Sequence, residues 1–203
     1  MINEKLYELY LEMRGPDCGP WNLSPKNLYL EHETRHYVST EFEIFDGIKV
    51  CNVGIGAGEW DDYLGYWLNG KGTLTSIDIN PEIGELFPLR QKIEGHPNPS
   101  IVLCEDVLAT TAEPGSFDIV TIIGSALRES EKYYAVLNKC FDLLKPSGYL
   151  MYMDMIMVHP AEDFQEFIAT TPYEIVDKQD FTKYPDMEFY IYKVKKLDNE
   201  LEL

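Results

Sequence analysis

The sequence has few basic residues compared with its acidic residues. Its 203 residues include 17 Lys and Arg against 35 Asp and Glu, which gives a net charge of −18 at pH 7. A surface this acidic repels the phosphates of nucleic acids and the headgroups of anionic lipids. We therefore expect no nucleic-acid partner and no membrane association.

Long hydrophobic runs and paired cysteines are also missing. No apolar run approaches the roughly 20 residues of a membrane span, and the N-terminus has no signal-peptide core. The four cysteines form no C-x-x-C pair, and Cys51 and Cys104 lie in apolar, strand-like runs. We expect buried free thiols, rather than a metal site or a disulfide framework, in a cytoplasmic protein.

What the sequence does contain is a pattern typical of half a nucleotide-binding α/β unit. An apolar run, Ile48 to Val53, leads into Gly54-Ile-Gly-Ala-Gly58, then into a helix-like segment and a second apolar run that ends at Asp78. Glycines allow a sharp turn and the close approach of a ligand, and the helix that follows offers unpaired N–H groups. An acidic residue about 20 positions past such a loop meets ribose hydroxyls.

The spacing of the glycines excludes a dinucleotide. The fingerprint G-x-G-x-x-G requires a small residue at position 59, which is Glu59 here, and a carboxylate at that point repels a pyrophosphate. The G-x-G-x-G of this chain instead resembles the first motif of class I S-adenosylmethionine-dependent methyltransferases, whose cofactor has no phosphate.

This resemblance covers about residues 47–196 and implies S-adenosylmethionine as cofactor, S-adenosylhomocysteine as product and no metal. Position by position, it implies the following cofactor-binding residues: Asn52, Gly54, Gly56, Gly58, Asp78, Ile79, Asp106, Val107, Gly124 and Ser125. Asp78 matches the acidic residue that binds the ribose, and Asp106 the one that accepts from the adenine amino group. Asn52 departs from the family, which often has a carboxylate there, so the cofactor's ammonium group would lose charge assistance.

Hydrophobic patterning predicts the elements of an α/β chain. Strand-like runs are 48–53, 73–78, 100–104, 117–123, 148–155, 173–181 and 188–195. Helix-like segments are 2–13, 25–38, 40–45, 59–68, 81–93, 130–144 and 161–169, with Pro88 expected to interrupt the fifth of these. We predict a Rossmann-like class I methyltransferase fold, a seven-stranded, mostly parallel sheet with an antiparallel C-terminal hairpin. Residues 1–46 are expected to form an N-terminal helical lid, and residues 47–203 the cofactor-binding domain.

A zinc-protease motif also occurs in the predicted lid. His32-Glu-Thr-Arg-His36 has the form H-E-x-x-H, in which two histidines one helical turn apart hold zinc. The third ligand is missing, because position 42 is Phe. A lid helix whose polar side faces the active site is therefore the preferred interpretation.

The chemistry of methyl transfer suggests which residues act on the substrate. The reaction is an in-line displacement, so a carboxylate acceptor needs only positioning, whereas an alcohol, phenol or amine needs a proton acceptor. His36 and His159 are candidates for that base, and Arg35 for a residue that pairs with a substrate carboxylate; the alternative for Arg35 is an ion pair with Glu31.

We therefore expect O-methylation of a carboxylate on a small metabolite or peptide. The short helical cap and small size resemble carboxyl methyltransferases that modify ribosomally made peptides, which implies natural product biosynthesis. An N-methyltransferase acting on a cationic amine is the nearest alternative, since the acidic surface attracts such a substrate. The others are a non-catalytic protein that binds the cofactor and an aminopropyltransferase of the same fold.

Overall fold

The computed structural model describes residues 4, 5, 8, 23–124 and 132–197, in which strands and helices alternate. The strands are β1 Ile48–Val53, β2 Gly72–Asp78, β3 Ile101–Cys104, β4 Phe117–Ile123, β5 Leu144–Met155, β6 Tyr173–Phe181 and β7 Phe189–Lys196. The helices are α1 Pro25–Glu41, α2 Glu59–Leu68, α3 Pro81–Glu94, α4 Tyr133–Leu143 and α5 Ala161–Ala169, and a 3₁₀ turn covers Val107–Ala109.

The seven strands form one sheet in the order β3-β2-β1-β4-β5-β7-β6. The pairs from β3 across to β5 are parallel, while β7 is antiparallel to both β5 and β6. The predicted fold class is confirmed, including the antiparallel C-terminal hairpin. Because the five parallel strands end at one edge, the loops that follow β1, β2, β3, β4 and β5 all lie there.

Helices cover both faces of the sheet, which explains why its central strands are apolar throughout. One face packs against the buried sides of α4 and α5, represented by Leu137, Phe141 and Phe164. The other packs against α1 and α2, represented by Val38 and Leu64. This sandwich fixes the carboxyl edge of the sheet between two rigid layers.

The helix α1 begins as predicted and ends later. Ser24 Oγ accepts a hydrogen bond from the amide of Asn27 at 3.1 Å, with Pro25 following the cap. The separate helix predicted at 40–45 is wrong, since α1 continues to Glu41 and Phe42 is extended. Phe42 is buried in the core below α1, and this burial favours the extended turn away from the helix.

The described part of the predicted lid is a layer of the core. Tyr37 and Val38 of α1 are buried on the sheet, while Tyr29 in its second turn packs edge-on against Phe189, which pairs with the last residue of β5. The helix predicted over 2–13 lies mostly outside the described residues. Of that segment, Lys5 contacts Glu85 of α3 at 3.5 Å. A lid role for residues 1–46 stays a prediction.

Two further expectations are corrected by the structure. Pro88 does not interrupt α3, which runs unbroken from Pro81 to Glu94, because Leu86 and Phe87 are buried beside it and hold the helix on the sheet. Cys104 is an exposed thiol rather than a buried one, because β3 is an edge strand, whereas Cys51 is buried as expected.

The helices in the described part of the chain are too short or too polar to cross a bilayer.

Candidate active site

A cavity of about 420 Å³ opens at the carboxyl edge of the sheet, between β1, β2 and β3. Its described lining comes from the ends of β1 and β2, the loops after β1, β2 and β3, and the first turns of α3 and α4: Val53, Gly54, Gly56, Ile77, Asp78, Ile79, Asn80, Ile83, Glu105, Asp106, Val107, Leu108, Lys132 and Val136. The volume and the mixture of apolar walls with a few polar groups are typical of a site for a small molecule.

The glycine loop turns from β1 into α2 with backbone angles that require glycine. Gly54, Gly56 and Gly58 have φ of +88°, +54° and +83°. A Cβ on Gly58 would lie 2.4 Å from the Phe87 ring, so this residue also lets α2 and α3 pack closely. Gly54 and Gly56 expose backbone to the cavity, whereas Gly58 lies behind them.

Asp78, at the end of β2, is hydrogen-bonded directly to the glycine loop. Its Oδ2 accepts from the amides of Ile55 at 2.7 Å and Gly56 at 3.3 Å, and its Oδ1 accepts from Asn80 at 2.8 Å. A carboxylate has about four lone-pair sites, so these bonds orient Asp78 and leave it able to accept from a ligand. The same side chain therefore shapes the glycine loop and forms part of the cavity wall.

Asp106, which follows β3, is held in a similar way. Its Oδ1 accepts from the amide of Leu108 at 2.9 Å and caps the 3₁₀ turn. Its neighbour Val107 is buried, while Ile79 beside Asp78 is exposed in the cavity mouth. The structure thus brings six of the residues predicted to bind the cofactor to one cavity: Gly54, Gly56, Asp78, Ile79, Asp106 and Val107.

Asn52 lies under the loop instead of on the cavity wall. It is fully buried, its amide nitrogen donates to Gly54 O at 2.9 Å and to both oxygens of Asp61 at 3.0 Å, and its Oδ1 accepts from Thr121 at 2.8 Å. Burial raises the pKa of Asp61 to about 7, although hydrogen bonds from Ser76 and Asn52 oppose the rise. The arrangement makes Asn52 a support of the glycine loop.

The ends of β4 and β5 lie next to the cavity. Gly124 follows β4 with φ of +72°, and its amide donates to Met153 O of β5 at 2.9 Å. Ser125 lies outside the described residues. Gly124, predicted to bind the cofactor, is not among the described residues that line the cavity.

His159 belongs to a polar cluster at the end of β5. Its Nδ1 lies 2.7 Å from Oδ2 of Asp154, a carboxylate that is only 1% exposed, and its ring stacks on Tyr133 with centroids 4.5 Å apart. The hydroxyl of Tyr152 donates to Asp154 at 3.1 Å, and that of Tyr190 to the carbonyl of His159 at 2.9 Å. Burial raises the pKa of Asp154, while the bond to His159 opposes the rise.

Arg35 and His36 are separate from this cluster. They lie on α1 beside a smaller cavity of about 270 Å³ that Tyr63 of α2 also lines. Arg35 pairs with Glu31 at 2.9 Å, which is the alternative that the sequence left open. His36 stacks on His32 with ring centroids 6.1 Å apart. No third His, Cys, Asp or Glu joins them in a metal-like group within the described ranges.

Sequence reasoning missed Asp61, Asp154 and Tyr133. Each acid carried a signal: Asp61 precedes Leu64 and Leu68 at helical spacing on an apolar face, and Asp154 interrupts the apolar end of β5. A carboxylate at a core position implies partners that offset its burial. Tyr133 carried no such signal, since its contact with His159 depends on how α4 meets β5.

Comparison with known proteins finds relatives that match part of the chain. The family model described as a methyltransferase domain matches residues 50–148. The demethylmenaquinone methyltransferase of Lactococcus lactis is 31% identical over 102 residues, which cover 50% of this chain and 40% of that protein. The Staphylococcus aureus protein of the same name is 28% identical over 120 residues, covering 59% of this chain and 48% of its own length. The chain thus matches less than half the length of each of these relatives.

Solved structures are similar in fold. A SAM-dependent methyltransferase from Aquifex aeolicus superposes with a TM-score of 0.68 at 16% identity, over 95% of this chain and 98% of that chain. The [4+2]-cyclase SpnF superposes with a TM-score of 0.69 at 16% identity, over 81% and 80% of the two chains. At this identity the similarity concerns the fold alone.

Proposed function

We propose that the chain is a class I S-adenosylmethionine-dependent methyltransferase, which transfers the methyl group of this cofactor to a small molecule. The proposal draws on the methyltransferase-domain model that matches residues 50–148 and on the fold shared with the SAM-dependent methyltransferase structure. The observation that supports the proposal is the arrangement of the glycine loop, Asp78 and Asp106 around a single cavity. A bound cofactor supplies an electrophilic methyl group on a sulfonium ion. The rest of the chemistry is positioning.

The residues present fit such a cofactor. Asp78 has about one lone-pair site left after its three internal bonds and would accept a ribose hydroxyl there, and Asp106 would accept from the adenine amino group. Ile79 and Val107 offer apolar surface to the adenine ring, while Gly54 and Gly56 allow the rest of the molecule to lie against the backbone. Glu105 also lines the cavity, but its carboxylate accepts from Thr110 and Thr111, which lowers its pKa and leaves it less suited to a ligand.

Residues 1–46 are proposed to cover this site. The early turns of α1 lie near the end of β5, and Lys5 reaches Glu85 on the helix that follows the cavity-lining loop. A cover that excludes water favours methyl transfer over hydrolysis of the cofactor.

The chemical class of the acceptor is a finer proposal. The carboxylate predicted from Arg35 has little support from the site, because that guanidinium pairs with Glu31 beside a different cavity. An amine acceptor retains the support of the acidic surface. The relatives' names refer to demethylmenaquinone, a quinone-type molecule, which favours an uncharged aromatic acceptor.

We propose a cytoplasmic location because the described cysteines are free thiols. Cys51, Cys104 and Cys140 are free, which suits a reducing compartment. Small molecules, rather than nucleic acids, are the partners that a net charge of −18 favours.

Cofactor binding and methyl transfer are tested separately, because the fold alone does not imply methyl transfer. One solved structure of the same fold is named as a [4+2]-cyclase. Calorimetry with S-adenosylhomocysteine should show binding that Asp78→Ala weakens by about 1–3 kcal/mol, because ribose hydroxyls lose a charged acceptor. Glu82→Ala is the matched control, since Glu82 is an exposed carboxylate of α3 outside the cavity lining, and it should leave the affinity unchanged. An Asp78→Ala affinity equal to that of the wild type would contradict the ribose assignment.

Transfer is measured with cofactor labelled in its methyl group and a set of small phenols, hydroquinones, amines and carboxylic acids. Label in an organic product supports the proposal. Cofactor binding without label in any product would favour the non-catalytic alternative.

A further inference from the structure

The cluster around His159 lies at the edge where a methyl acceptor must approach the cavity. The β1 and β4 strands pair in parallel, as do β4 and β5, so Gly54, Gly124 and Asp154 stand at neighbouring strand ends. Lys132 and Val136 at the start of α4 line the cavity, and Tyr133 between them stacks on His159. His159 therefore contacts a residue of α4 whose neighbours in that helix line the cavity.

Asp154 fixes the chemistry of that imidazole. Its Oδ2 is 2.7 Å from Nδ1 of His159, so Nδ1 donates and the lone pair of a neutral ring is at Nε2. The other bonds to Asp154, from the Tyr152 hydroxyl at 3.1 Å and the Met155 amide at 2.7 Å, hold the carboxylate still. The His159 side chain keeps 21% of its surface exposed, so an incoming group can reach it.

The pairing of a buried carboxylate with a histidine is the arrangement of an oriented general base. Burying a carboxylate costs free energy unless its partners offset it, and the Asp154 carboxylate is held by the His159 imidazole and the Tyr152 hydroxyl. A substrate that is already ionised needs no base. The pair therefore points to an acceptor that loses a proton as it reacts.

We propose that His159 removes the proton of an aromatic hydroxyl group, a phenol or hydroquinone, and that Asp154 is the positioning residue that orients it; this inference rests on the proposed methyl transfer. The hydroxyl proton passes to Nε2, the oxygen lone pair forms the bond to the methyl carbon, and the C–S bond breaks with its electron pair left on sulfur. The imidazolium then returns its proton to solvent. A phenol, with a pKa near 10 as in tyrosine, is within reach of an imidazole, whereas an aliphatic alcohol is a much weaker acid.

The flanking side chains suit an aromatic acceptor. Tyr133 presents a flat ring beside the imidazole, and Met157, in the loop that connects β5 to His159, is 76% exposed. A methionine in such a loop adapts to the edge of an aromatic ring.

The test compares acceptors of graded acidity. Methyl transfer is measured at pH 8 to 1,4-naphthohydroquinone and catechol, which are largely protonated there, and to 4-nitrophenol, which is largely ionised there. The His159→Gln variant should lower kcat/KM for the protonated acceptors about 100-fold, in the range of general-base catalysis, and change the rate for the nitrophenolate far less. His32→Gln, an exposed histidine on α1, is the control and should behave as the wild type.

Asp154→Asn tests the positioning role. It should lower kcat for the protonated acceptors with little change in KM, and nitrogen NMR should show that His159 no longer keeps its proton on Nδ1 alone. Affinity for S-adenosylhomocysteine should stay at the wild-type value in both variants, which separates this proposal from that of methyl transfer itself.

Three results would overturn the inference. One is an equal loss of rate for protonated and ionised acceptors. Another is full activity of His159→Gln. The third is a wild-type enzyme that binds the cofactor and transfers label only to carboxylates or amines, or to none of the hydroxyl compounds. Failure of the wild type to bind the cofactor would instead overturn the proposed function.

Discussion

Asp61 lies on the buried side of α2, directly beneath the glycine loop. It accepts from Ser76 at 2.5 Å and from Asn52 at 3.0 Å, and Asn52 in turn holds the carbonyl of Gly54. These bonds connect α2, β1 and β2 at the point where the loop begins. The loop conformation therefore depends on a carboxyl group that no solvent reaches.

The protonation of Asp61 should make stability depend on pH. Its pKa in the folded chain is raised to about 7 from an ordinary 3.8, so the folded state holds this proton more tightly than the unfolded state. The corresponding stabilisation is complete at low pH and is lost as pH rises through about 7. In Asp61→Asn, the free energy of unfolding should therefore lose this falling slope between about pH 4 and pH 7, as measured by urea titration at several pH values.

The readout is the difference between the two pH curves, because other groups titrate equally in both proteins. Leu64→Ala is the control: it removes packing from the same helix without removing an ionisable group, so its curve should lie below that of the wild type and parallel to it. Curves for Asp61→Asn and the wild type that run parallel would show that Asp61 keeps an ordinary pKa.

Individual residues differed in how far the sequence could predict them. Asp78 and Asp106 each follow an apolar run, so their place at the carboxyl edge follows from strand direction alone. Arg35 and His159 were equally conspicuous in sequence, but only the partner of Arg35 could be predicted from helical spacing. Glu31 is one helical turn from Arg35 and was foreseen, whereas Asp154 faces His159 only because the chain folds back after β5.

At the scale of elements, α3 shows how packing decides between competing preferences. Pro88 lacks an amide hydrogen and cannot donate the bond expected at its position, yet the helix continues because Leu86 and Phe87 are buried on its sheet side. Gly84 is what allows this close fit: a Cβ at that position would lie 2.6 Å from Cβ of Cys104 on β3. The helix therefore approaches the sheet through a glycine.

Gly84→Ala should destabilise the protein by about 1–3 kcal/mol, since overpacking at the contact with β3 exceeds the roughly 1 kcal/mol that alanine adds in helix propensity. Chemical denaturation gives the free energy directly. In the double variant with Cys104→Gly, which removes the opposing Cβ, the two changes should cost less together than separately. A stabilised Gly84→Ala protein would show that α3 moves away from β3 without cost.

Most helices and strands were predictable, because the hydrophobic periodicity of their sequences matches the side of each element that is buried in the fold. All seven strands were expected within a few residues of their observed bounds, and the close spacing of β6 and β7 predicted their antiparallel pairing. The errors arose where local and tertiary preferences conflict. The segment 40–45 has a helix-like pattern, but burial of Phe42 below α1 favours extended backbone.

At the scale of the whole molecule, the residues of the candidate site all lie at the carboxyl edge of the sheet. The strand order brings β1 between β2 and β4, so the loops proposed to bind the cofactor lie beside those proposed to meet the acceptor. The sequence predicted this juxtaposition from the fold class, but not the separation of Arg35 from it. That separation depends on α1 lying on a face of the sheet, which no local pattern specifies.

The net charge of −18 should make stability depend on salt. Like charges repel more strongly in the compact chain than in the unfolded one, and salt screens them as the Debye length falls from about 30 Å at 0.01 M to about 8 Å at 0.15 M. At pH 7.5, the melting temperature should therefore rise by several degrees between these salt concentrations, corresponding to about 1 kcal/mol in a chain of this size.

Two comparisons separate screening from ion binding. Sodium and potassium chloride should act equally, because screening depends on ionic strength alone. Near pH 4.5, the isoelectric point of the sequence, the same salt should have little effect, since the net charge vanishes there. A melting temperature that falls with salt at pH 7.5 would mean that attractive pairs such as Arg90 with Asp62, 2.7 Å apart, outweigh the repulsion among the excess carboxylates.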